Sequence, residues 1–192
     1  MVHRVIFGIA VALTVLLVRG ALHPDQPDSA VYSLTLATGA AGLGAFVGAV
    51  LTPRLSRAPG AVRWSALALV SGVVLGSLGL ALATLPGLLA GGLFIGFAGQ
   101  AVKVCSDTVV QEDVDDDRRG RVFALYDVAV NVAIVTGLTA AAFTAPADGR
   151  APVAAAWMSA LAVLGAWWAL TAERRDPAAG YAHDARALDE PD

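Results

Sequence analysis

Between Trp64 and Val102 the chain runs for 39 residues without an aspartate, glutamate, lysine or arginine. As one helix this run would measure about 58 Å, roughly twice the ~30 Å hydrocarbon core of a bilayer. A water-soluble domain of this size could not cover so much apolar chain. The run must fold back on itself within a membrane, and Leu85-Pro86-Gly87 near its middle carries the turn signal. Two helices are predicted there, near 64–84 and 86–106.

Four more stretches read the same way. Val5–Val18 is free of charge, as are Ser29–Pro53 and Ala151–Ala172, while Val122–Tyr126 and Val128–Ala147 are separated by Asp127 alone. The expectation is an all-α integral membrane protein, 1–172, with six spans at about 3–22, 30–52, 64–84, 86–106, 122–145 and 151–172. Composition agrees: 57% of the 192 residues are hydrophobic and 15% charged, against about 25% charged in soluble domains. A formal charge of −3 offers no basic surface for nucleic acid, and the one cysteine, Cys105, excludes an internal disulfide.

Arginine and lysine set the orientation, because cytoplasmic loops are enriched in them. With the amino terminus inside, Arg4, Arg54, Arg57, Arg63, Arg118, Arg119, Arg121, Arg174, Arg175 and Arg186 are cytoplasmic. Arg19 and Arg150 are outside, and Lys103 lies within a helix. Dropping or adding one internal span would scramble this alternation, so both termini are placed in the cytoplasm of a cell with a plasma-membrane protein. Trp64, Trp167 and Trp168 fall at cytoplasmic helix ends and Tyr32 at an outer one. The opening segment also resembles a signal peptide, but no small-x-small cleavage site follows and Arg19 directly succeeds the apolar core. Residues 173–192 are polar and read as a disordered cytoplasmic tail; their six acids and three arginines carry the whole net charge.

Two kinds of intramembrane feature stand out. Gly44 and Gly48, Gly72 and Gly76, and Gly92 and Gly96 each form a G-x-x-x-G pair, which lets helix backbones approach closely. Polar residues are costly at membrane depth and therefore informative. Gln100, Lys103 and Asp107 lie on the fourth span, and the i, i+4 spacing of the last two allows an ion pair. Asp127 and Asn131 form a second i, i+4 pair on the fifth. Either these residues contact solute or gate its path, or Lys103 snorkels to the interface and Asp127 neutralises nearby arginines. Arg19 reads as a snorkelling anchor at the outer interface.

No catalytic set emerges. His3, His23 and His183 fall in an amino-terminal end, an outer loop and the tail; no nucleophile triad, phosphate loop or dinucleotide motif is present. Asp113, Asp115 and Asp117 start a calcium-loop pattern, which then fails because Arg118 replaces the required glycine and Ala124 the closing glutamate. The chain is expected to be no enzyme and to hold no metal or cofactor, and Cys105 reads as a packing residue.

The stretch Gly99–Val135, with Arg119-Gly120-Arg121-Val122-Phe123 followed by Tyr126-Asp127 and Asn131, resembles the tenth-helix, loop and eleventh-helix region of major facilitator superfamily (MFS) transporters. The opening apolar segment is similar to their seventh helix. Gly48, Pro53, Arg54, Arg57 and Arg63 look like a degraded copy of their loop signature between helices eight and nine, with Thr52 and Pro53 where an aspartate is usual. The resemblance implies a carboxy-terminal six-helix MFS half that contributes to secondary transport of a small solute, with efflux one direction. It assigns Arg54, Arg119 and Arg121 to cytoplasmic loops. Such a half needs a second wall. The chain is then a piece of a longer transporter, a partner of a separate amino-terminal half, or a parallel homodimer. A membrane interaction or assembly protein without transport is the alternative.

Overall fold

The computed structural model describes residues 1–113 and 116–175, with side chains other than those of 110, 112, 113, 116–119 and 175. Six helices follow one another: α1 (Val2–Leu17, continued by a π-helical turn, Val18–Leu22), α2 (Pro27–Leu55), α3 (Ala61–Ala81), α4 (Leu85–Asp113), α5 (Asp116–Thr144) and α6 (Pro152–Arg175). All six are long and apolar enough to cross a membrane, and the described residues include no strand. A helix satisfies its backbone hydrogen bonds internally, which hydrocarbon demands. Consecutive helices alternate in direction. Met1 and the end of α6 therefore share one end of the bundle, here the near end; the turns at 23–26, 82–84 and 145–151 form the far end.

The helices do not pack in chain order. α4 lies along both α2 and α3, α1 along α5, and α3 along α6. This is the pattern of two inverted three-helix repeats: exchanging α1 with α4, α2 with α5 and α3 with α6 carries the α1·α5 contact onto α2·α4. The exchange also relates α3·α4 to α1·α6, but here the likeness fails. The α3·α4 contact is extensive and the α1·α6 contact slight. The core runs down the middle, through Ile6, Leu13 and Leu17 of α1, Val73 of α3, Leu88 of α4 and Met158 of α6.

Close backbone approach holds the pairs. A Cβ at Gly44 would strike the Leu93 carbonyl and one at Gly96 the Ala41 carbonyl, across α2 and α4. At Gly48 it would come within 2.8 Å of the Phe97 carbonyl, and at Gly92 within 3.1 Å of that of Ala37. Gly72 and Gly76 sit against Ala98 and Ile95 where α3 meets α4. Gly8 and Gly137, absent from any G-x-x-x-G pair singled out in the sequence, do the same between α1 and α5. Gly39 and Gly42, on the exposed face of α2, meet nothing within 4 Å.

Several boundaries differ from those expected. The break in the 39-residue run falls at residues 82–84, and Pro86 sits inside the first turn of α4. A proline is at ease there, since the amide hydrogen it lacks has no intrahelical partner at that position. Thr84 Oγ1 accepts the Gly87 amide hydrogen at 3.3 Å, capping the new helix. Arg54 is in the last turn of α2, and Arg119 and Arg121 in the opening turns of α5, so none of the three is in a loop. α2, α4 and α5 each reach 29 residues, about 44 Å, and so continue beyond the hydrocarbon into water, where charged residues suit them. The first three residues of the expected tail belong to α6, which continues to Arg175, and Glu173 pairs with Arg63 of α3 at 3.6 Å. Residues 176–192, which hold the rest of that expected tail, lie outside the described residues, as do Val114 and Asp115 of the failed calcium pattern.

Gly44→Ala and Gly96→Ala are expected to destabilise the bundle by about 1–3 kcal/mol each, because backbone must move to admit the methyl group. Gly39→Ala and Gly42→Ala should be neutral or slightly stabilising. Thermal unfolding in detergent compares the four variants.

Candidate functional site

The polar residues of α4 are placed by two contacts. A Cβ at Gly99 would meet the His3 ring of α1, 2.6 Å from Nε2, whereas a Cβ at Gly48 of α2 would lie 3.2 Å from Cβ of Gln100. α1 therefore faces Gly99 and α2 faces Gln100. At about 100° per residue, Lys103 lies about 40° and Asp107 about 80° round from Gly99 toward Gln100. Both fall in the sector between α1 and α2, which touch through the π-helical turn at the far end. Lys103 and Asp107 thus stand on the face of α4 between the sides that meet α1 and α2, below the amino-terminal end of α1. They form the ion pair that their spacing allows, with side chains 43% and 26% exposed.

The second pair is built differently. Asn131 Nδ2 donates to the backbone carbonyl of Asp127 at 2.8 Å, so the Asp127 carboxylate takes no part. Both residues are exposed, and among the described residues that carboxylate has no ion-pair partner. α4 and α5 do not pack along each other, and α1 lies between them. The two polar pairs are therefore not brought into contact. They do share a depth. From the His3–Gly99 contact, Lys103 is four residues, about 6 Å, toward the near end. From the Val5–Gly137 contact, Asn131 is six residues, about 9 Å, in the same direction. Each pair lies near or beyond the level of Met1, at the rim of the bundle. The part of α4 deeper in the bundle, from Gly92 to Gln100, carries no acid or base. Arg54 and Arg121 are exposed at the same end.

One buried polar group was not singled out from the sequence. His3 is 4% exposed, and its Nε2 has no hydrogen-bond partner. A signal was present: His3, Ile6, Ala10, Leu13 and Leu17 recur every three or four residues, and all five are buried in α1. Thr52 is fully buried too, and its Oγ1 accepts the Trp64 indole N–H at 3.4 Å, closing the turn between α2 and α3. At the far end the His23 ring and Ser33 hydroxyl share a 2.9 Å hydrogen bond that ties the π-helical turn to α2. Cys105 is buried in α4.

Residues 4–172 match the family described as sugar (and other) transporters. The chain belongs to that family. An uncharacterized MFS-type transporter of Mycobacterium bovis is 35% identical to it over 167 residues, covering 85% of this chain and 36% of the relative. One from Mycobacterium tuberculosis matches to the same extent. The chain thus spans about a third of the length of the curated relatives it matches. No solved structure gives a significant match. The MFS resemblance read from Gly99–Val135 and the six-helix bundle accord with this family, and the chain is a multi-pass membrane protein of the transporter type.

Because the Lys103–Asp107 pair is partly solvated, its contribution to stability is expected to be under about 1 kcal/mol. A double-mutant cycle of Lys103→Ala and Asp107→Ala, read by thermal unfolding in detergent, checks this. A larger coupling would mean that the pair is closed to water.

Proposed function

We propose that this chain forms one wall of a secondary transporter for a small solute, the carboxy-terminal six-helix half of the MFS plan, with its near end in the cytoplasm. The observation that carries this reading is the six-helix bundle whose α4 bears Gln100, Lys103 and Asp107 on the face turned toward α1 and α2 at the near end. MFS halves are parallel repeats about an axis along the membrane normal, with solute bound between them. A single half supplies one wall, so transport needs a second six-helix unit: further residues of the same polypeptide, a separate amino-terminal half or a parallel second copy. The exposed face of α2, where Gly39 and Gly42 leave the backbone bare, suits a close-packed helix from that unit. Lys103, Asp107, Asp127 and Asn131 then act at the cytoplasmic mouth, as gating or solute-contacting groups, with Arg54, Arg119 and Arg121 at the cytoplasmic ends of their helices. The transport reading leaves no role for an enzymatic site.

The orientation is supported by charge. Arg4, Arg54, Arg57, Arg63, Arg121 and Arg174 are all at the near end, and only Arg19 and Arg150 of the described arginines are at the far end. In a plasma membrane this places both termini in the cytoplasm. A fluorescent protein fused after Asp192 should fluoresce, and alkaline phosphatase fused there should be inactive; the reverse result overturns the orientation.

Transport is tested by co-expressing the chain with an amino-terminal six-helix half from one of the relatives and measuring uptake and efflux of a panel that includes sugars. Asp127→Ala and Asp107→Asn should lower the rate at least tenfold without changing the amount of protein in the membrane. Absence of movement of every solute in a correctly assembled pair counts against the reading.

A further inference from the structure

The slight α1·α6 contact leaves a space. At the far end a cavity of about 490 Å³ opens between α1, α5 and α6, lined by Ile9, Ala140, Ala141, Thr144, Arg150 and Trp157 among others. Its lining is almost wholly apolar. Thr144 Oγ1 already donates to the Ala140 carbonyl at 2.7 Å. That leaves the Arg150 guanidinium, which is exposed and makes no ion pair or side-chain hydrogen bond among the described residues. The one acid beside it, Asp148, turns Oδ1 to the backbone amide of Arg150 at 3.1 Å.

The position of the cavity in the bundle identifies its occupant. The 145–151 turn is pinned on the end of α1: a Cβ at Gly149 would strike the Leu17 amide nitrogen, and Gly149 also has φ +68°, so glycine is required there twice over. Ile9 is eight residues below Leu17, about 12 Å along the helix. The crevice therefore starts at the membrane surface and ends within one leaflet of a ~30 Å hydrocarbon core. It opens sideways, since Val153 and Trp157 on its α6 wall are 68% and 65% exposed. Acyl chains reach such an opening before any soluble molecule. The cation is at the surface end, where a headgroup would be. Arg19 stands on the same corner, next to Gly20, whose Cβ position is 2.7 Å from Cα of Asp148.

We propose that this crevice binds an anionic phospholipid, with one acyl chain against Ala140, Ala141 and Trp157 and the phosphate on Arg150. An arginine matches a phosphate with two parallel hydrogen bonds, and a basic site between spanning helices favours lipids with net negative charge. The site is at the opposite end of the bundle from Lys103 and Asp107 and does not depend on which solute is moved.

The test uses the full chain in nanodiscs of phosphatidylcholine with or without phosphatidylglycerol, reading bound lipid by native mass spectrometry and the unfolding midpoint. Phosphatidylglycerol should bind preferentially and raise the midpoint. Arg150→Gln should weaken that binding about tenfold or more, the loss of a charge-assisted phosphate contact. Ala140→Phe, at an exposed position on the crevice wall, should fill the space and abolish the preference while leaving the midpoint in pure phosphatidylcholine unchanged. Arg57→Gln, which removes an equal charge at the near end, should keep the preference. The proposal is overturned if Arg150→Gln or Ala140→Phe binds phosphatidylglycerol as the unmodified chain does, if Arg57→Gln loses as much as Arg150→Gln, or if soluble glycerol phosphate gives the same shift.

Discussion

In hydrocarbon a helix gains nothing by hiding apolar surface from solvent, so this bundle depends on how closely its backbones approach. The approach is set by glycine. Gly44 and Gly96 bring α2 onto α4, and Gly8 and Gly137 bring α1 onto α5, each at a separation that no side chain tolerates. These two contacts are counterparts under the exchange that relates the first three helices to the last three. What remains of the structure follows from where such contacts are made and where they are missing.

Where they are missing, an opening appears. α1 and α2 touch through the π-helical turn at the far end, and toward the near end α4 bears Lys103 and Asp107 on the face between them. α1 and α6 barely meet, and a cavity opens beside them at the far end. The two places differ in chemistry. The α4 face carries an ion pair at the rim of the bundle, in keeping with a solute path, while the cavity is apolar with one cation at the surface, in keeping with a lipid. A transporter wall needs the first. The second goes with the slight contact between α1 and α6, where the α3·α4 counterpart is extensive.

Much of the fold was legible in the sequence. Length of charge-free chain, helix pitch and bilayer thickness together required six spans, and the arginine pattern required their alternation. Some element ends were misread for a definite reason. Helix α3 was carried on to Thr84, whereas it ends at Ala81 and residues 82–84 make the turn before Pro86. Charge was taken to end a helix, whereas Arg54 and Arg121 lie on helices that leave the membrane without unwinding. The i, i+4 spacing of Lys103 and Asp107 led to a real ion pair, but the same spacing at Asp127 and Asn131 led to a bond with a backbone carbonyl. An amide one turn above a carboxylate can reach either acceptor, and spacing alone does not choose.

The sequence by itself determined that this chain crosses a membrane six times, because the cost of charge in hydrocarbon acts on each residue where it stands. It also located the polar residues by depth, for the same reason. Only the tertiary structure decided which helices touch. That choice depends on glycines that meet backbone far away in the chain, such as Gly8 with Ile134 and Gly44 with Leu93. It made His3 a buried residue at the α1–α4 contact and kept the two polar pairs apart on either side of α1. It also left Arg150 at the rim of a cavity that no run of residues announces.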